Sequence, residues 1–480
     1  MFNKPLFFLL LCFLLGCNKV DELTSSAEQT NSILAEIAES ALPLFEITTD
    51  VPIENEPKVP GHLKLYKKGE LILEHPIGIE YRGSTSFRLS DKKSYGFETW
   101  NEQNEDVNVS LLDFPEEEDW ILTGHVFRAS ESIIFDPTLI RHFVGYELFR
   151  QMGRYASRCQ FVELTVNSRY DGVYVFMEKL KRDKNRINIK KLEPDENDSE
   201  NITGGYILKI DKTAGGDVAP NAPLAYFETN WDDDARYNEN ISFRSAYDIN
   251  QSVLDFDPFQ EPFHEKQYLE TYFLYEYPKA EDISDHQKQY IQNYIHQFET
   301  ALLKEDFSTP ERTYTNYIDT SSFVDYFILN ELVRNMDAYR ISTYIHKDLG
   351  GKLKMGPVWD LNIGYTDERI PLDEWIVNYN SYQPQDPWLV PFWWPKLLQD
   401  PHFIAQLKDR WSSLRANEFT TDKVVALVQN TAKYLQENGA IQRNYERWTG
   451  ITVNYQAAIN EMSDYLAYRL QWMDAAIAAM

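Results

Sequence analysis

Apolar residues recur along this chain at two spacings, and the change from one to the other divides it. From Leu44 to Tyr81 they come in short runs parted by turn residues: HLKLY, a Lys67-Lys68-Gly69-Glu70 turn, then LILEH and IGIEY. Such runs predict antiparallel strands. A further strand carries Lys93, Tyr95 and Phe97 on one face, because side chains alternate. Strands are also predicted over Phe161 to Val166 and Val173 to Glu178, and in Tyr206-Ile207-Leu208-Lys209-Ile210-Asp211. Asp136 followed by Pro137 predicts the start of a helix that runs to Met152 and stops at Gly153. Residues 212–282 have weak periodicity and read as an insertion. After Ser284 the spacing turns helical, with Tyr290, Ile291, Tyr294, Ile295 and Phe298 on one stripe. A second helix, FVDYFILNELVRNM, has Ser321 or Ser322 as its cap. Strands from Ser342 to Lys347 and from Lys352 to Val358 flank a turn at Gly350 and Gly351. A loop rich in Pro, Trp and Tyr follows, and residues 403–478 predict three or four helices. The expected class is α+β, strand-rich over about 44–282 and mostly helical over about 283–480.

The N-terminus has a separate pattern. Lys4 precedes an apolar stretch, Leu6 to Leu15, which is short for a membrane span. Leu14-Leu15-Gly16-Cys17 then reads as a bacterial lipobox, with Cys17 as the lipidated residue. Residues 1–17 are thus a lipoprotein signal, and 18–43 a polar tether with one weak helix over Ser32 to Ala41. The body, 44–480, is placed in the bacterial cell envelope, lipid-anchored to a membrane and periplasmic or surface-exposed. Of the 3 cysteines, only Cys159 lies beyond this leader, so no internal disulfide is expected there. A net charge of −28 sets nucleic acid aside as a partner. Hydrophobic content of 43% supplies a large core, and the aromatic share of 14% suits either core filling or stacking on sugars.

Two carboxylates stand at the edges of the predicted hairpin, Asp337 before it and Asp360 after it. Phosphoryl transfer needs such a pair: one to orient the acceptor hydroxyl, one to hold the metal on the phosphates. A helix-end Asp and a turn Asp would give the same pattern. Asp232-Asp233-Asp234 reads as a surface loop, since three consecutive side chains cannot all face one ion.

Five motifs in order carry more. Tyr81-Arg82-Gly83-Ser84-Thr85-Ser86, Lys92-Lys93-Ser94-Tyr95, the run from Phe161 to Ile187, GGYILKID and Lys354-Met355-Gly356-Pro357-Val358-Trp359-Asp360 together resemble the spore coat protein H (CotH) family. The resemblance implies an atypical, bilobal protein-kinase-like fold, and ATP with Mg²⁺ or Mn²⁺ as cofactors. By this resemblance Asp337 is the catalytic Asp and Asp360 the metal ligand. Asn362 stands where many members carry another Asp, and Ser342 where a kinase has its second metal-binding Asn. Lys93, or Lys92 beside it, would meet the phosphates, with Arg82 and Ser84 in the phosphate loop. Glu147 would be the lysine's ion-pair partner, and Glu178 matches an acidic position of unassigned role. The implied activity is transfer of phosphate to Ser or Thr hydroxyls of extracytoplasmic proteins. The alternative is a non-catalytic kinase-like lipoprotein that binds glycan or protein through the Trp375 to Trp394 loop. A glycosidase pair lacks any recognisable context here. The basic run Lys179 to Lys191 reads as a solvated loop, or a receiver of acidic substrate.

Overall fold

The computed structural model describes residues 36–83, 85–213, 237–259, 266–365 and 368–480. Seven strands close into a barrel: β1 (Leu44–Thr49), β2 (Val59–Lys67), β3 (Glu70–Arg82), β4 (Ser94–Thr99), β5 (Asp119–Thr123), and, after the small ribbon β6 (Phe127–Arg128) and β7 (Ile133–Ile134), β8 (Cys159–Val166) and β9 (Arg169–Glu178). Their order is β1-β2-β3-β4-β5-β9-β8, and the parallel pairing of β1 with β8 shuts the ring. Alternation explains the interior. Phe45 and Ile47, Leu63 and Leu65, Ile77 and Ile79, and Tyr95 and Phe97 point inward in pairs two apart. Strand β9 is buried on both faces: Tyr174 and Phe176 fill the barrel, while Val173, Val175 and Met177 join the larger core outside it. That double burial is why β9 reads as one continuous apolar run.

A second sheet has the order β11-β12-β10-β13-β14, from β10 (Tyr206–Ile210), β11 (Ser242–Arg244), β12 (Tyr272–Tyr277), β13 (Thr343–Lys347) and β14 (Lys354–Met355). β10 pairs antiparallel with β13, Ile210 opposite Thr343, so GGYILKID lies beside the strand that follows Asp337. Strands β11 and β12 fall within 212–282. That stretch is therefore part of the sheet and not an insertion.

The helices of eight or more residues are α1 (Arg141–Gln151), α2 (Asp285–Leu303), α3 (Thr320–Val333), α4 (Pro401–Ala416), α5 (Thr421–Glu437), α6 (Ala440–Arg447) and α7 (Tyr455–Ala479) among the described residues. α3 is buried on all sides from Ser322 to Val333, as its unbroken apolar sequence requires. Its polar residues are satisfied: Glu331 accepts from Arg469, Tyr339 and the Ile376 and Val377 N–H groups. The α+β class holds, with most strands before about 282 and most helices after it, α1 and the strands β13 and β14 being the exceptions the sequence predicts. None of the helices among the described residues is long and apolar enough to cross a membrane.

Several boundaries move for local reasons. α1 begins at Arg141, because Asp136 instead accepts the Thr138, Leu139 and Arg141 N–H groups in a turn. Asp319, not a serine, caps α3 by accepting from the Ser322 N–H. The tether ends before 43: Ile37 and Leu42 are buried, and the Ala41 N–H donates to Asn438 Oδ1 at 2.7 Å. Cys17, Ser84 and Asp232-Asp233-Asp234 lie outside the described residues.

Candidate functional site

A cleft of about 1210 Å³ is lined by both groups of strands and by the loops after α3 and β14. Asp337, Asp360, Asn362 and Arg82 all line it. Asp337 lies in the loop that leaves α3 through Arg334 in the left-handed conformation (φ 50°). Asn335 ties this loop to its neighbour: its amide donates to Asn330 Oδ1 at 3.2 Å and to the Trp359 carbonyl at 3.3 Å. Its own Oδ1 accepts the Asp337 N–H. One side chain thus fixes the spacing of the two loops that carry the carboxylates.

Asp360 and Ser342 both take positive φ, 51° and 48°. Asp tolerates this conformation better than most residues, and such backbone is concentrated at functional sites. The Ser342 hydroxyl donates to Asp360 Oδ2 at 3.0 Å. Ser342 therefore orients Asp360 here. Burial raises the Asp360 carboxyl above its ordinary range; Ser342, Arg82 and Lys209 oppose that, and Asp211 adds to it. Burial also raises Asp337, opposed by Arg340, Arg369 and Lys212 and assisted by Asp360. The Asn362 carbonyl accepts from Arg141 at 3.2 Å. The Arg82 guanidinium stands over the Trp359 ring, 5.7 Å from its centre.

The lysine assignment needs correction. Lys93 precedes β4, and its Nζ turns back to the Phe87 carbonyl at 2.5 Å. Lys92 is buried, donating to the Val173 carbonyl and to Asn444 Oδ1. Neither lines the cleft, although the next residue, Ser94, does. Glu147 pairs with Arg150 at 2.9 Å and with Gln151, so it is no partner of Lys93. Glu178 is a structural acceptor for Tyr155 and Arg158.

Two lysines line the cleft, Lys209 and Lys212. Lys209, in β10, meets Asp211 just beyond the strand at 3.2 Å, and its ammonium stands over the Tyr344 ring. Burial works against its charge, but Tyr344, Asp211 and Glu276 outweigh it and raise the ammonium's pKa. The signal was present in GGYILKID: polar Lys209 and Asp211 alternate with the buried Ile210, so both must leave the core on the same side.

Packing bears on two other expectations. Trp393 and Trp394 are buried in the core, Trp394 against Tyr326 and Tyr339, whereas Trp375 and Trp388 are half-buried and Trp388 lines the cleft. The basic run is tied down: Lys181 bonds Glu117, Glu118 and Asp119, and Lys190 bonds Glu196. Those three acidic residues come within 4.8 Å of one another, but Lys179 and Lys181 already compensate them.

Asp360, Asn362 and Asp211 give the cleft hard oxygen donors, the chemistry that suits Mg²⁺ or Mn²⁺. Arg82, Lys209 and Arg340 add positive charge beside them. Among curated proteins no match to the chain is found. A family model described as CotH kinase protein matches residues 79–473, which include every cleft-lining residue named above. The chain belongs to the CotH kinase family.

Proposed function

We propose that this protein is a metal-dependent phosphotransferase with a bilobal, kinase-like arrangement: the barrel forms one lobe and the helical body the other, with ATP between them. The observation that carries the reading is the convergence of Asp337 and Asp360 with Arg82 and Lys209 on one cleft. Asp360, with Asn362 two residues on, would hold Mg²⁺ or Mn²⁺, which supplies charge neutralisation on the phosphates when bound. Lys209 and Arg82 bind phosphate oxygens. Asp337 orients the acceptor hydroxyl and takes its proton. The acceptor class is a Ser or Thr hydroxyl of an extracytoplasmic protein, reached from a lipid anchor at Cys17. The scaffold-only alternative keeps Trp388, which lines the cleft, but not Trp393 and Trp394, which are core residues.

Transfer of labelled phosphate from ATP to a Ser-containing protein, with Mg²⁺ or Mn²⁺, tests this. The wild type transfers, and Asp337→Asn lowers turnover by roughly 10²–10⁴-fold, as loss of a general base does. No transfer by the wild type with either metal, or an undiminished rate in the variant, refutes the assignment. Membrane fractionation of Cys17→Ala tests the anchor; retention in the membrane fraction refutes it.

A further inference from the structure

Among the described residues, the Asp337 carboxylate accepts one hydrogen bond. Its Oδ1 accepts from Arg340 Nη2 at 3.1 Å. The guanidinium of Arg340 is itself immobilised. Nη1 donates to Asp386 Oδ1 at 3.0 Å and to the Trp388 carbonyl at 3.3 Å, and Nε donates to the Met336 carbonyl at 2.8 Å. The Tyr379 ring covers its face, with the guanidinium carbon 4.0 Å from the ring centre. Asp386 is fixed in turn: Oδ2 accepts from the Tyr379 hydroxyl at 2.6 Å, and Oδ1 also accepts the Trp388 N–H at 2.9 Å. Arg340 is only 3% exposed and Asp386 7%, so that pair is largely shielded from water, while the Asp337 side chain, 18% exposed, opens on the cleft. All of these residues except Met336 line the cleft.

We propose that Asp386 and Tyr379 are positioning residues for the transfer step. They lock Arg340, which holds Oδ1 of Asp337 and leaves Oδ2 to face the acceptor. This rests on the phosphotransferase reading above. In the step, the acceptor hydroxyl gives its proton to Asp337 Oδ2 and its oxygen bonds the γ-phosphorus. The bond from that phosphorus to the β–γ bridging oxygen breaks, and its electron pair leaves with ADP. Arg340 has a second effect. Asp337 is half-buried, which disfavours its charge, and Arg340 is the strongest of the groups that keep it ionised; Arg369 and Lys212 act the same way from other elements, and Asp360 acts against them. Losing the lock on Arg340 misdirects Asp337 and raises its pKa.

The test compares wild type, Asp386→Leu, Asp386→Glu and Tyr379→Phe. For Asp386→Leu, kcat falls roughly 10²-fold, the scale of a displaced catalytic group, while KM for ATP stays within about twofold. The acid limb of the kcat profile moves up by about one pH unit, and Asp386→Glu restores part of both. Tyr379→Phe gives a smaller change of the same sign, and carries the test should Asp386→Leu not fold. Titration of Asp337 by ¹³C NMR, assigned with Asp337→Asn, reads the same displacement without turnover. An Asp337 midpoint that is unmoved in both Asp386→Leu and Tyr379→Phe overturns the proposal. So does a loss confined to KM for ATP. Nucleotide binding by the wild type, measured separately, distinguishes failure of this relay from failure of the phosphotransferase reading.

Discussion

At the scale of the residue, the two lysine positions separate what motif order can say from what geometry decides. Lys93 sits just before β4, so the alternation that places Tyr95 and Phe97 inside the barrel does not govern it, and its Nζ returns to the Phe87 carbonyl. Lys209 is inside a strand, and alternation does govern it. Lys209→Met therefore weakens ATP binding by roughly tenfold or more, the size of a lost charge-assisted contact, whereas Lys93→Met leaves it within about twofold. Fluorescence titration with a nucleotide analogue measures both; a larger loss in Lys93→Met would restore the original lysine. Asp337, Asp360 and Arg82 were legible because each lies in a short local motif. Asp386 was not, since its role depends on Arg340 and Tyr379 being folded against it.

At the scale of the element, buried polar contacts hold the helical body to the second sheet. Glu299 on α2 accepts from Ser245 Oγ at 2.7 Å and Trp393 Nε1 at 2.9 Å, joining the helix to the end of β11 and to the aromatic loop. Burial pushes its carboxyl up to about 7, with the Ser245 and Trp393 bonds opposing. A carboxyl raised in the folded state stabilises most below its unfolded pKa. As pH rises from about 4.5 to about 7 the unfolded chain ionises first, and stability falls. The loss is about 3 kcal/mol over that window. Glu299→Gln keeps an acceptor and removes the titration. Urea unfolding across pH then shows the variant gaining on the wild type between about pH 4.5 and 7 and keeping that gain above it; parallel curves would remove Glu299 from the account. The Trp-rich loop divides for a related reason: composition cannot tell a stacking surface from a core, and packing against α3 puts Trp394 in the core while Trp388 lines the cleft.

At the scale of the whole molecule, the barrel and the helical body are joined on the side of α6. Arg443 bonds the fully buried Glu163 of β8, and Asn444 Oδ1 accepts from both Lys92 Nζ and the Val173 N–H. The basic Lys92-Lys93 motif thus serves this joint through Lys92, while Lys209 reaches the cleft from β10. The spacing of apolar residues made the barrel strands and the later helices legible. It did not show β11, which is three residues long, or β12. The central claim is that the cleft binds nucleotide through a metal held by Asp360. Calorimetry of ATP with Mg²⁺ or Mn²⁺ tests it most directly, on wild type and Asp360→Asn. The account predicts metal-dependent binding by the wild type and its loss in Asp360→Asn; equal binding by both proteins, or none by the wild type with either metal, would contradict it.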